Sequence, residues 1–198
     1  MSSHSYFIVH KPFGYLSQFV TNQKKGKNKK LLGELYNFPD GTMSIGRLDE
    51  DSEGLLLLTT DGLMSDLVRS KKIEKEYYVQ VDGVITREAI EQLQERVEIS
   101  IRGKKYETLP CRARLLDTPP SFEPRLKNIR SDKHGPTSWV SVTLIEGKFR
   151  QVRKMTAAVG FPTLRLIRGR IGNITLDKMP PGKVIEVDKF RLDEIVDA

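Results

Sequence analysis

The alternation of apolar and polar positions sorts this chain into many short strands and a few short helices. Residues 5–10 are aromatic and β-branched and predict a strand, and Lys11-Pro12-Phe13-Gly14-Tyr15 turns the chain out of it. Leu31, Leu32, Leu35 and Phe38 recur at helical spacing and predict a short helix ended by Pro39-Asp40-Gly41. Residues 43–45 read as a brief strand, and the leucine run that opens 55–60 predicts a strand buried on both faces. Asp61 is placed to cap a helix through Arg69, with Leu63, Leu67 and Val68 inward. Residues 75–81 have high β-propensity. Thr86 then caps a helix with Glu88 and Glu91 in its early turns and Ala89, Ile90 and Leu93 as its apolar side. Short strands are expected at 97–101, 106–109 and 113–117.

Residues 118–137 break this rhythm with Pro119, Pro120, Pro124, Gly135 and Pro136, and carry Arg125, Lys127, Arg130, Lys133 and His134. A loop of that length is usually functional or disordered. A strand over 138–145 holds Trp139, the only tryptophan, and a helix over 151–159 is stopped by Gly160 and Pro162. Strands at 163–168, 171–175 and 184–187 follow, with a sharp turn at Pro180-Pro181-Gly182 and a last helical turn or two at 190–196. Strands outnumber helices, and several links are too short for helical crossovers. The fold class is therefore α+β, with a mixed, largely antiparallel sheet flanked by helices and loops.

One stretch organises the rest. Gly46-Arg47-Leu48-Asp49-Glu50-Asp51-Ser52-Glu53-Gly54 is a tight acidic turn leading into the buried strand. A turn beside a buried strand is held rigidly, so Asp49 at its crest is a carboxylate whose position the fold controls. Charge sharpens the point, because the chain is otherwise basic, with net charge +7 and pI about 9.4. Residues 1–33 contain six lysines and no acid, and 147–176 contain seven Lys or Arg and no acid. Cations segregated in this way suggest a nucleic-acid-binding face. The run Lys24-Lys25-Gly26-Lys27-Asn28-Lys29-Lys30 repels itself and reads as a solvated loop or a phosphate-contacting arm.

Several chemistries drop out. The 198 residues suit one domain or two lobes. A single cysteine, Cys111, rules out a disulfide framework within the chain and fits a reducing compartment. There is no membrane-length apolar run and no signal-peptide pattern, so a cytoplasmic protein is expected. His4, His10, His134 and Cys111 lack ligand spacing, so no metal site is expected. The acidic turn fails as a calcium loop because Thr60 stands where a bidentate Glu is required. No phosphate-binding glycine loop and no nucleophile elbow occurs.

What remains is the acidic turn and the cationic stretch Glu146-Gly147-Lys148-Phe149-Arg150-Gln151-Val152-Arg153-Lys154-Met155. Arg150, Arg153 and Lys154 fall at helical spacing and are expected to share a face lining an RNA backbone. One of them turned towards Asp49 would keep it ionised, as a nucleophilic carboxylate needs. A structural ion pair is the other reading, and the residues alone leave both open.

At this point the residues reach a resemblance. Gly46-Arg47-Leu48-Asp49-x-Asp51-Ser52-x-Gly54-Leu55-Leu56, then Lys75-x-Tyr77, then Glu146-Gly147-Lys148-x-Arg150-Gln151-Val152-Arg153-Lys154-Met155 resemble the pseudouridine synthases of the RsuA/RluB/RluE/RluF group. Leu164-Arg165-Leu166-Ile167-Arg168-x-x-Ile171-Gly172 is similar to that group's closing motif. The match runs in order from Ile8 to about Val187. It implies the pseudouridine synthase fold, with a catalytic cleft across the sheet, as one catalytic domain over 1–198 of one or two lobes. The separate N-terminal RNA-binding domain of most of the group is expected to be absent. Two of the runs look most similar to the RluE-like members, which lack that domain and modify 23S ribosomal RNA.

The resemblance also implies roles. Asp49 matches the catalytic nucleophile, Tyr77 the aromatic that stacks on the flipped base, and Arg153 the basic partner of the aspartate. Leu166 matches the apolar residue under the base. Arg47 is expected to fill the space the base leaves or to hold a phosphate, with a bracing salt bridge to Glu50 or Asp51 as the other reading. Lys148, Arg150, Arg168 and the loop at 125–134 are candidate RNA backbone contacts. Glu53 departs from the pattern, standing where the group often has a small or variable residue. No metal or organic cofactor is expected, and the partner is ribosomal RNA met by a monomer. The alternatives are a sister enzyme for 16S ribosomal RNA or transfer RNA, or a catalytically silent ribosomal-RNA-binding or assembly protein.

Overall fold

Four successive leucines, Leu55 to Leu58, have no exposed surface at all, and the strand that holds them sets the frame around Asp49. The structure is a computed structural model that describes residues 4–20, 29–70, 73–125, 129 and 132–191. In chain order its elements are β1 (Tyr6–Lys11), β2 (Tyr15–Leu16), β3 (Lys30–Leu31), β4 (Met43–Ile45), β5 (Glu53–Thr59), α1 (Gly62–Ser70), β6 (Lys75–Asp82), α2 (Arg87–Gln94), β7 (Glu98–Ile101), β8 (Lys104–Glu107), β9 (Arg112–Leu116), β10 (Thr137–Leu144), α3 (Gln151–Ala158), β11 (Thr163–Ile171), β12 (Ile174–Thr175) and β13 (Val184–Val187). This is the expected α+β class. The described strand registers are antiparallel apart from β2 with β3. The chain forms two compact units. One takes the stretches up to Ile73 and from Arg168 onward, and the other is Glu74–Ile167.

In the first unit β1 lies between β5 and β13. Its register puts Phe7 opposite Leu58 and Val9 opposite Leu56. Alternation along a strand sends these four to one face. There they meet Leu32, Phe19, Leu35, Phe38 and Val184 in one apolar cluster. The rings of Phe7 and Phe38 meet edge-on at 5.1 Å, a favourable aromatic geometry. Leu55 and Leu57 point to the opposite face and are equally buried, as the unbroken leucine run predicts. β4 pairs with the far end of β5, Ile45 opposite Leu57, and so closes the acidic turn as the loop of a hairpin.

Three local expectations are corrected here. The apolar residues at 31–38 make only a single 3-10 turn, Leu32–Glu34, because β3 pairs with β2 just before it and Pro39 follows just after. Leu32, Leu35 and Phe38 still enter the core, but from an irregular backbone. In α1 the inward residues are Met64 and Val68, while Leu63 is 84% exposed and Leu67 40% exposed. The reason lies in the cap. Asp61 accepts the Met64 N–H at 3.1 Å and the Tyr6 hydroxyl at 2.8 Å, so the helix is rotated by its anchor to β1. The Tyr6 hydrogen bond, and then that of Met64, hold the Asp61 carboxyl below its ordinary range. The expected strands at 163–168 and 171–175 are instead one long strand, β11, and a short return, β12. The final turn expected at 190–196 lies mostly outside the described residues, though Phe190 is described and meets Tyr6 edge-on at 5.3 Å.

The second unit is built on β6, β10 and β9 in that order. Tyr77, Val79 and Val81 alternate inward along β6, facing Val142, Val140 and Ser138 of β10. α2 begins where Thr86 accepts the Ala89 N–H, and buries Ala89 and Leu93. β7 and β8 form a separate hairpin whose turn uses Arg102 and Gly103 at positive φ. α3 packs on β7. Among the described residues no helix is long and apolar enough to cross a membrane.

Gly54 begins the leucine run with φ +110°, and a Cβ there would collide with the Arg168 carbonyl oxygen and lie 2.6 Å from the Arg168 nitrogen. Both atoms are backbone and cannot swing aside. Gly54→Ala should cost about 3 kcal/mol or more, from overpacking plus a strained φ. Chemical denaturation of the purified variant measures it, and a loss below about 1 kcal/mol would mean that the two strands are not held at this separation.

Candidate active site

The backbone on both sides of Asp49 is clasped. Ser17 is buried, and its hydroxyl accepts the Leu48 N–H at 3.0 Å and donates to the Leu48 carbonyl at 2.8 Å. One small side chain thus satisfies both polar groups of the residue before Asp49. On the other side the Gly14 N–H donates to the Glu50 carbonyl at 2.8 Å. The turn closes with Ser52 N–H donating to the Asp49 carbonyl at 3.1 Å. Lys29 Nζ lies 2.6 Å from both oxygens of Glu50. Asp49 is half-buried at the crest of this braced loop.

Beneath the same turn sits Lys11, with no exposed surface. Its Nζ donates to the Pro12 carbonyl at 2.9 Å and the Tyr15 carbonyl at 2.7 Å. Burial pushes its ammonium down to about 7, and the carboxylates of Glu53, Asp51, Asp49 and Glu50 push back upward. A cation therefore underlies the acidic turn, and Glu53, the residue that departs from the resemblance, is its foremost carboxylate neighbour. Glu53 itself is 2% exposed at the start of β5. The residues read only as a turn did carry a signal. Lys11 shares strand parity with Phe7 and Val9, so the pattern already directed it inward.

Arg47 is exposed and lines an open cleft of about 620 Å³ with Ser17, Met43, Ser44 and Arg69 among others. Glu50 is engaged by Lys29, and no described residue pairs with Arg47, so the bracing salt bridge is not what this arginine does. Arg168 is corrected more sharply. It is 4% exposed, and its Nε donates to the Leu55 carbonyl at 2.8 Å. This arginine braces the leucine strand from inside and is not an outer contact for an RNA backbone.

The remaining candidates belong to the second unit. Tyr77 is 8% exposed in β6, opposite Val142, and Leu166 is 6% exposed in β11. Arg153 lies in the first turn of α3 and is half-buried. Arg150 does not share its helical face as expected. It is the residue before the helix, in the left-handed region at φ 53° and ψ 35°. Such a backbone costs a non-glycine residue about 1–2 kcal/mol and persists only where its surroundings enforce it. The enforcement comes from Glu146 and Gln151, whose structural part the motif did not announce. Glu146 accepts hydrogen bonds from the Tyr106 hydroxyl, the Leu109 N–H and the Gln151 amide, while Gln151 accepts the Lys148 N–H at 2.9 Å. Donating to Glu146 pushes the Tyr106 hydroxyl up to about 12. Lys148 stays exposed, its Nζ 4.8 Å from the Tyr106 ring centre. Lys154 turns aside to donate to the Ser100 carbonyl at 2.7 Å.

Of the charged loops, residues 24–28 and 126–128, 130 and 131 lie outside the described residues. Buried Arg165 donates to the Glu123 carbonyl at 2.8 Å, tying the proline-rich loop to β11. Among the described residues no three His, Cys, Asp or Glu side chains gather to hold a metal ion.

The chain belongs to the RNA pseudouridylate synthase family, which residues 5–158 match. It is 42% identical over 182 residues to the ribosomal large subunit pseudouridine synthase E of Vibrio parahaemolyticus, covering 91% of this chain and 72% of that protein. It is 40% identical over 176 residues to the protein of the same name from Xanthomonas axonopodis pv. citri, covering 88% and 89%. A crystal structure of a pseudouridylate synthase superposes with a TM-score of 0.73 at 26% identity, over 94% of this chain and 71% of that one.

Two outcomes check the brace. Ser17→Ala leaves the buried Leu48 N–H and carbonyl unmatched and should lower stability by about 1–3 kcal/mol. Ser17→Thr, which keeps the hydroxyl, should lose less, and equal losses in the two would assign the effect to packing. For Lys11, between pH 7 and 10.5 the unfolded chain holds a proton that the folded chain has shed, so its share of stability rises with pH. Below pH 7 both states are charged and the full burial cost stands. Wild-type protein should therefore gain more stability from pH 7 to pH 9 than Lys11→Met does. Parallel pH profiles would return Lys11 to an ordinary pKa.

Proposed function

We propose that this chain isomerises one uridine of 23S ribosomal RNA to pseudouridine, as a single catalytic domain that needs no metal or organic cofactor. The two relatives described above are named as ribosomal large subunit pseudouridine synthases, at 40–42% identity over about nine-tenths of the chain. The observation that carries the residue assignment is the clasp at Ser17 and Gly14, which fixes the backbone on both sides of Asp49.

The reaction breaks the bond from C1′ of the ribose to N1 of the base, turns the base, and makes a bond from C1′ to C5. The proton on C5 leaves and N1 takes one up, so nothing is oxidised or consumed. A target inside RNA structure must first leave its stack, at about a few kcal/mol. Asp49 is assigned as the nucleophile that holds the separated fragment. Its carboxylate must be ionised, and Arg153 is assigned to keep it so. Tyr77 is assigned to stack on the turned base, and Leu166 to pack under it. Arg47, exposed and without an ion-pair partner among the described residues, is assigned to the vacated space or to a phosphate. Lys148 and Arg150 are assigned to the RNA backbone. A basic chain with this charge segregation suits ribosomal RNA as the partner, and the enzyme is assigned as a cytoplasmic monomer.

Asp49→Asn should lower turnover by at least about 10⁴-fold while RNA affinity stays within about threefold. Turnover retained in the purified variant removes Asp49 from the nucleophile role. In a strain lacking the protein, chemical mapping should show one pseudouridine missing from the large-subunit RNA. A site missing from small-subunit or transfer RNA instead would move the substrate.

A further inference from the structure

The ring of Phe149 is 61% exposed, on the loop that Glu146 and Gln151 brace ahead of α3. A single exposed apolar side chain is ordinary on a surface, and what sets this ring apart is the braced loop that carries it and the charges around it. Its setting is cationic. Lys154 Nζ sits 5.1 Å from the ring centre and is fixed there by the Ser100 carbonyl of β7. Lys148, the preceding residue, is exposed and stands over Tyr106 of β8. Two residues beyond Ser100, the β7–β8 turn carries exposed Arg102, and exposed Lys104 opens β8. Neither has an ion-pair partner among the described residues. The nearby acids are engaged: Glu98 pairs with Lys105, Glu107 with Arg96, and Glu146 accepts three hydrogen bonds. One ring face is capped by a lysine, the rest is open, and uncompensated positive charge lies alongside.

We infer that Phe149 is a stacking platform for an unpaired base of the RNA, with Lys148, Lys154, Arg102 and Lys104 holding the phosphates of that strand. This rests on the reading of the chain as an RNA enzyme and adds a contact site lying wholly in the second unit. The stack suits any base, since each has a flat π-face, and the cations track the backbone. The site would therefore hold a single-stranded stretch by its shape and charge and leave the choice of nucleotide to the reacting centre.

The test uses the full chain and a fluorescent single-stranded RNA of about twelve nucleotides without uridine, so that binding is read apart from isomerisation. Phe149→Ala should weaken binding about 5- to 100-fold, and Phe149→Leu, which keeps apolar bulk but no π-face, nearly as much. Phe149→Trp should bind as well as wild type or better. Arg102→Gln with Lys104→Gln should flatten the salt dependence by about 1.4 in slope, the value for two single-strand phosphate contacts. Unchanged affinity in Phe149→Leu, or no measurable binding of this RNA by wild type, overturns the platform. Absence of pseudouridine formation in 23S ribosomal RNA by a wild-type protein that still binds the uridine-free RNA would instead sink the proposed activity.

Discussion

β5 has no free face, and that constraint governs what the first unit can do. Within Leu55–Leu58 a one-residue slip would only trade leucine for leucine, so the ends of the strand set its register: Gly54, where a Cβ would strike the Arg168 backbone, and Thr59, whose hydroxyl donates to the Ser5 carbonyl at 2.8 Å. The loop that enters the strand is fixed with it. The bonds from Ser17 and Gly14 then act on a loop whose exit is already immovable. Even the Gly54–Arg168 approach serves this strand, because Arg168 runs back inside to hold the Leu55 carbonyl.

Electrostatics in the same unit follow from packing. Strand parity that sends Phe7 and Val9 inward sends Lys11 inward too, where two carbonyls and the acids of the turn receive it. A buried cation and a cluster of carboxylates are each unfavourable alone. Held together, they let an acidic turn persist beside a desolvated core. Glu53, unusual against the resemblance, fits here as a buried acid opposite a buried base.

What the sequence revealed depended on how local the cause was. Most of the strands, the caps at Asp61 and Thr86, and the doubly buried leucines follow from neighbours in the chain, and they stand as read to within a residue or so at their ends. The inward face of α1 was misread because a hydrogen bond from Tyr6, 55 residues away, sets its rotation. The Ser17 clasp joins residues 31 apart and leaves no pattern in sequence. Arg168 was taken for a surface contact because an arginine looks exposed until a carbonyl inside the sheet is seen to need it. Arg150 was placed on a helix that begins one residue later, since the Glu146 and Gln151 bonds that bend it left-handed arise from side chains read as polar.

The unit that holds Asp49 is discontinuous: its central strands come early in the chain, while Arg168 and β13 come late. During synthesis the leucine strand is made more than a hundred residues before the arginine that braces it. Glu74–Ile167 emerges in between, and the pairings of β6 with β10, β10 with β9 and β7 with β8 lie within it. Domains generally fold as units in order of emergence, and long loops close late. The frame around Asp49 is thus completed only when the last strand arrives. A truncated or stalled chain would hold the basic second unit without a finished frame around Asp49, the residue proposed as the nucleophile.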